Sequence, residues 1–263
     1  MEDTKGKVFD QNLPPFERLV ALMAVLRSEE GCAWDRKQTH ESLLPYLIEE
    51  AHEVVEAVQS GDFGHLREEL GDLMCQVVFH AQLADEAGRF DVNDSIETIV
   101  EKLIRRHPHV FGEKKELTPK QVRDQWEKVK IESGEKKSVL SGIPASMPAL
   151  TMAYRIGEKV GGVGFDWTEP ADVLDKIAEE TDEIKAEIEA DDKERLSEEI
   201  GDLLFAVSSL ARKFEINPEL ALKRALEKFS ERFYRLEQEV KVSDRPFGEY
   251  TLDELEAIWQ RVK

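Results

Sequence analysis

The chain has 263 residues, 41% hydrophobic and 35% charged, with a formal net charge of −20. That acidity argues against nucleic-acid binding through counterion release, and no apolar run nears the ~20 residues that span a bilayer. Two cysteines, Cys32 and Cys75, and no CxxC argue against a disulfide scaffold or a thiolate zinc site.

Glycine and proline are sparse and Ala, Leu, Glu and Lys plentiful, which indicates an all-α chain. The N-terminus MEDTKGKVFD lacks an apolar signal core, so a cytoplasmic location is expected. Residues 1–13 read as a flexible tail. Pro14-Pro15 opens a helix with Phe16, Leu19, Val20, Met23 and Leu26 on one face. Gly31-Cys32-Ala33-Trp34-Asp35 breaks it. Thr39 or Ser42 caps a second helix that runs to about Gln59, and Gly61 to Gly64 is a turn. A third helix runs from about His65 to Ala87 and is ended by Gly88. Cys75 lies in its apolar stretch as a small core residue. Asp94 or Ser95 starts a fourth, which stops near Arg106 because Pro108 disfavours helix at His107. Thr118-Pro119 opens a fifth, through Trp126 to about Ile131.

Residues 133–147 read as a linker, after which the pattern repeats. Helices are expected over about 148–160, 170–190 and 193–214, then from Asn217-Pro218 to about Val240, with a last one capped by Thr251. The loop Gly162-Val163-Gly164-Phe165-Asp166 matches residues 31–35. The expected fold is a tandem duplication of a four-helix-type module, one copy over 14–132 and one over 148–263.

The duplication carries chemistry. Glu50, Glu53, Glu69 and Asp72 recur as Glu180, Glu183, Glu199 and Asp202, each 130 residues after its counterpart. Acids three apart share a helix face, so two facing helices aim four carboxylates at one point. Such a group repels itself unless a cation joins it, and hard oxygen donors suit Mg²⁺ or Mn²⁺. A single acid pair in a chain with 56 acidic residues is ordinary; two copies at one spacing, each Asp preceded by Gly and followed by an apolar run, are not. A mid-helix glycine costs roughly 1 kcal/mol relative to alanine, so Gly71 and Gly201 suggest close helix approach at the site.

Other pairs follow the repeat. Lys102 and Arg106 correspond to Lys228 and Arg232, and Trp126 with Lys130 corresponds to Trp259 with Lys263. The halves differ in cations: Lys176, four before Glu180, faces Tyr46 in the first copy, and Arg195, four before Glu199, faces His65. Phosphoanhydride cleavage needs cations for developing charge, so the second half is expected to be the more active. Glu49-x-x-His52 fits a di-iron carboxylate bundle only once, and the second copy has Asp182 instead of His.

The duplicated EExxE and ExxD motifs, Trp34-Asp35, RRHPHVFG over residues 105–112 and VGFDW over 163–167 together resemble the MazG family of the all-α NTP pyrophosphatase superfamily, across roughly residues 14–263. The resemblance implies a nucleoside triphosphate pyrophosphohydrolase that binds Mg²⁺ through Glu180, Glu183, Glu199 and Asp202, with Glu50, Glu53, Glu69 and Asp72 in the first half. It implies that Lys176, Arg195, Lys228 and Arg232 surround the triphosphate and that Trp259, with Lys263 one turn on, meets the base. Glu179 or a ligand carboxylate is expected to take the proton of the attacking water, which makes Glu179, Glu180 and Lys176 the candidate catalytic residues. A homodimer is implied too. The chain departs from the family pattern at Leu226, where many relatives carry Asn. The rival from another class is a non-catalytic nucleotide sensor or dimerisation module, against which the intact acids of both halves count. A hydrolase releasing orthophosphate lacks its GxxxxGK[ST] run here.

Overall fold

The computed structural model describes residues 2–112, 114–119, 121–122, 125–126, 129, 138–242 and 245–263. The described residues are helical, without strand, and form two compact units, residues 1–113 and 114–263. Lys130, the first residues of the expected linker and much of the expected helix through Trp126 lie outside the described residues.

The first unit starts with a correction. Residues read as a tail form helix α1 (Glu2–Phe9), which packs on α2 (Pro15–Arg27). Arg18 Nε donates to the Val8 carbonyl at 2.9 Å, and Lys5 pairs with Glu30 at 3.3 Å. These partners are 10 and 25 residues away in sequence, so short-range pattern did not reveal them. The expected break at residues 31–35 is only half a loop, because Ala33–Lys37 makes a short helix, α3. Gly31 is required before it: a Cβ there would collide with the Val25 and Leu26 carbonyl oxygens.

Helix α4 (His40–Ser60) is capped by Thr39, in a box with Ser42, and ends at Gly61 in the left-handed region, φ 72°. Asp62 then caps α5 (Phe63–Glu86), accepting from the Gly64 and His65 amides at 2.8 and 3.1 Å. This tight link folds α5 back on α4. Helix α6 (Val92–Arg106) is capped by Asp91 rather than Asp94 or Ser95; Asp94 is the reciprocal member of the capping box. Pro108–Phe111 adds a single turn, α7. Met23, Leu43, Val78, Phe79, Ala81 and Val92 form the core, and Cys75 packs against it as expected. Burial first, and then the Asp72 and Glu50 charges, push the Cys75 thiol pKa up, which suits an inert core residue.

The second unit repeats the plan with α8 (Ala149–Gly161), α9 (Pro170–Ala190), α10 (Lys193–Lys213), α11 (Pro218–Val242) and α12 (Leu252–Arg261). The α9–α10 link uses Asp191 at φ 54° where the first copy uses glycine, and Asp192 caps α10 as Asp62 caps α5. Buried Lys159 on α8 donates to the Ser141 carbonyl at 2.8 Å, tying down the chain that enters the unit. A small core of Leu236, Val240 and Ile258, with Tyr250, Leu255 and Trp259 against it, joins α11 to α12.

Each unit anchors its loop to its long helix with a guanidinium–carboxylate pair, but with the polarity exchanged. In the first, Arg27 of α2 grips Glu86 of α5 at 2.8 and 2.7 Å and also donates to the Asp35 carbonyl. In the second, the acid is in the loop: Asp166 accepts from Arg212 at 3.0 and 2.6 Å and from Lys213 at 2.8 Å. Burial pushes the Asp166 carboxyl up, but the Arg212 and Lys213 hydrogen bonds and charges outweigh it and hold it below the usual carboxylate range. A depressed folded pKa contributes stability that is present above the unfolded value of 3.8 and lost as pH falls through the folded one. Asp166→Asn should therefore flatten the loss of stability as pH falls below the unfolded value of 3.8, measured as urea midpoints. An acid limb identical to wild type would contradict this role.

Candidate active site

The helix pairs α4–α5 and α9–α10 bring the acids together. In the first unit one ligand oxygen each from Glu50, Glu69 and Asp72 lies within 4.8 Å of the others; in the second, Glu180, Glu199 and Asp202 do the same. The fourth acid of each set, Glu53 or Glu183, is not in its group, though its charge is felt there. Burial first, then the neighbouring charges of Glu183, Glu180 and Asp202 and the contact with the Glu180 carboxyl, push the Glu199 pKa up. Burial and then Glu53 do so for Glu69, opposed by His65, while burial, Asp72 and Glu53 raise Glu50 against a hydrogen bond from Gln76. Burial and like charge both resist the ionised forms, and a cation bound among these acids would offset both.

Gly71 and Gly201 do not mark close helix approach. A Cβ at either would meet nothing within 4 Å, and both are exposed. The helices meet through the acid-bearing face, and the glycines lie off it. A mid-helix glycine signals something unusual, but sequence gives no direction for it.

The two clusters differ around the shared carboxylates. Glu180 is 2% exposed, and its Oε1 lies 2.7 Å from Lys176 Nζ while Oε2 has no hydrogen-bond partner. Lys176 also donates to Glu179 Oε1 at 2.8 Å, and these two carboxylates hold its ammonium firmly protonated. In the first unit the side chain against the cluster is His65, whose Nε2 lies 2.8 Å from Glu69 Oε1. Arg195, at the corresponding position, is not against Glu199; it is 3.5 Å from Glu187 and 68% exposed. Gln76, a residue missed from sequence, sits four after Asp72, where the second copy has buried Ala206. Its i,i+4 spacing was the available signal.

The cations of α11 are split. Lys228 is exposed. Arg232 donates from Nε to the Trp259 carbonyl at 3.0 Å and lies over the indole, 4.0 Å from the ring centroid. Phe229 meets the same indole at 5.0 Å. Trp259 is thus half-buried in the small α11–α12 core, and Lys263 is exposed beyond it. In the first unit Lys102 and Arg106 share α6, Arg106 half-buried.

A divalent cation fits the second cluster. Three carboxylates converge, one oxygen of the most buried acid has no hydrogen-bond partner, and the donors are all hard oxygens. The first cluster offers the same three acids. Among the described residues no helix is long and apolar enough to cross a membrane.

The comparisons with known proteins point the same way. The sequence profile of the MazG nucleotide pyrophosphohydrolase domain matches residues 38–111 and again 168–236, spans that contain both clusters. The chain is 49% identical over 250 residues to the nucleoside triphosphate pyrophosphohydrolase/pyrophosphatase MazG of Thermotoga maritima, covering 94% of this chain and 95% of that one. It is 44% identical over 253 residues to the nucleoside triphosphate pyrophosphohydrolase of Escherichia coli K12, covering 94% and 96%. A third relative, the uncharacterized protein YabN of Bacillus subtilis, is 38% identical over 94% of this chain but only 51% of its own length. With both copies of its acid motif inside the matched spans and near-complete coverage of two relatives, the chain belongs to the MazG nucleotide pyrophosphohydrolase family.

Proposed function

We propose that the protein hydrolyses nucleoside triphosphates to the monophosphate and pyrophosphate, in a Mg²⁺-dependent reaction, with the second of the two repeats (14–132 and 148–263) the more active. The observation that carries this is the Glu180, Glu199 and Asp202 cluster, with Lys176 against it, in a chain of this family. Glu180, Glu199 and Asp202, with Glu183 beside them, would hold the metal, and Glu50, Glu53, Glu69 and Asp72 would do so in the first repeat. Bound there, Mg²⁺ or Mn²⁺ supplies Lewis acidity toward phosphate oxygens and a water of lowered pKa.

The remaining roles belong to the chain. Lys176, Arg195, Lys228 and Arg232 neutralise the β- and γ-phosphates of the leaving pyrophosphate. Arg195 and Lys228 are exposed and long enough to reorient. Glu179 takes the proton of the attacking water; it lies outside the cluster and shares Lys176 with Glu180. Trp259 and Lys263 meet the base. Exposed Ile96, Ile99, Val100, Leu103 and Ile104 along α6 support a homodimer, since a surface helix rarely leaves such a stripe in water. The cytoplasm is the compartment this chemistry suits.

The test is product analysis in ¹⁸O-water. We expect pyrophosphate rather than orthophosphate, the label in the monophosphate, and no turnover in excess EDTA. Orthophosphate release, label in pyrophosphate, or full activity in chelator would each end this reading. Nucleotide binding without turnover would favour the sensor.

A further inference from the structure

In the second unit the most buried acid of the cluster already holds a cation of the chain's own. Glu180 is 2% exposed and its Oε1 lies 2.7 Å from Lys176 Nζ. The first unit has no lysine at this place: Tyr46 stands four residues before Glu50, and the basic side chain against the cluster is His65, 2.8 Å from Glu69 rather than from Glu50. Lys176 keeps 35% of its side-chain exposure and touches a second carboxylate, Glu179, at 2.8 Å. Its ammonium therefore has somewhere to go on leaving Glu180.

We propose that Lys176 is a built-in counter-cation that competes with the divalent metal for Glu180, so that the second cluster takes up metal only as the ammonium moves off this carboxylate. The proposal rests on the metal reading given above. Two cations cannot share one carboxylate without cost: an ammonium and a dication at contact distance on Glu180 repel. The displaced ammonium then finds Glu179 or, when nucleotide is present, an anionic phosphate. Metal and nucleotide thereby favour each other at the second cluster, and by linkage the effect is reciprocal. At the first cluster no lysine competes; the contact there is His65 with Glu69 at 2.8 Å, and Glu50, the counterpart of Glu180, takes up metal without displacing an ammonium.

The test uses Mn²⁺ as the probe, without nucleotide, with free Mn²⁺ read by electron paramagnetic resonance. The full-length chain carries Glu50→Gln and Asp72→Asn, so only the second cluster titrates. Added to this background, Lys176→Met should tighten Mn²⁺ binding about tenfold, equivalent to about 1.4 kcal/mol. Lys176→Arg, which retains the charge and its hydrogen bonds, should stay within about twofold of the background. Lys185→Met is the control for charge alone. It lies on the same helix but pairs with Asp182 at 2.7 Å and is 67% exposed, so it too should stay within about twofold. The reciprocal variant places Tyr46→Lys in a chain carrying Glu180→Gln and Asp202→Asn, and should weaken Mn²⁺ at the first cluster about tenfold. Unchanged or weaker binding in Lys176→Met, or an equal gain in Lys185→Met, overturns the competition while leaving the metal site standing. If Lys176→Met does not fold, Tyr46→Lys decides, and unchanged affinity there overturns the proposal. No Mn²⁺ binding in the parent background overturns the metal reading and the proposal with it.

Discussion

Asp202→Asn should lower kcat/KM by at least about 100-fold, whereas Asp72→Asn should lower it by less than about tenfold. Both residues belong to a three-carboxylate group and both are exposed, so an isosteric amide at either leaves the helices intact. The difference is in what surrounds them. Beside Asp202 the cluster has Lys176 on Glu180, with Arg195 one turn before Glu199; beside Asp72 the corresponding residues are Tyr46 and His65. A cluster can hold metal without cations, but the leaving pyrophosphate needs them. The lower bound of 100-fold follows from the outer-shell partners of metal sites, whose loss alone costs about 10–100-fold. Initial rates with melting temperatures measured on the same preparations decide it. Equal losses, or a greater loss in Asp72→Asn, would show that the first unit carries the chemistry.

The helices and their caps were legible because they depend on neighbours in sequence. Thr251 starts its helix as expected, and of the two candidates Thr39 and Ser42 the first is the cap and the second its partner in the box, since a capping hydroxyl and its amide are three residues apart. Three acids of each cluster were legible for the same reason twice over, the i,i+3 spacing setting the face and the repeat the pairing, while the fourth, Glu53 or Glu183, stands outside its group. What failed depended on partners far along the chain. The first 13 residues contain a helix because α2 is there to receive it. Asp91 and Asp94 form one box in which either aspartate fits the role of cap by type, and only geometry assigns it. Arg195 reaches Glu187 across the α9–α10 turn, a contact that its spacing from Glu199 does not indicate. A long exposed side chain has many partners of nearly equal energy, and spacing does not choose among them. The loop anchors, Arg27 with Glu86 and Asp166 with Arg212, are 59 and 46 residues apart and exchange polarity between copies, so the repeat itself hid them.

Trp259→Ala should lower the melting temperature of the second unit by roughly 4–8 °C and raise KM for every nucleoside triphosphate roughly 5- to 150-fold. The thermal effect follows from packing. A buried Trp truncated to Ala costs about 3–5 kcal/mol, and Trp259 is half-buried, so about 2 kcal/mol is expected. For a unit of about 150 residues each kcal/mol is worth about 2–4 °C. The KM effect follows from stacking, worth about 1–3 kcal/mol per base and tolerant of which base it is. An indole has two faces. Arg232 lies over the ring at 4.0 Å and Phe229 tilts against it at 5.0 Å, so a base would stack on the part of the half-buried indole that these two leave open, with the guanidinium strengthening the stack. Truncation also removes the surface on which Arg232 rests, so part of the KM change would come from a displaced arginine. Trp259→Phe separates these contributions: a phenyl ring retains a stacking face and most of the packing, and should recover most of both losses. Arg232→Met, which keeps the packing stem and removes the charge, should raise KM while leaving the melting temperature nearly unchanged. A Trp259→Ala protein that melts early yet keeps the wild-type KM would show that the indole serves only the α11–α12 core.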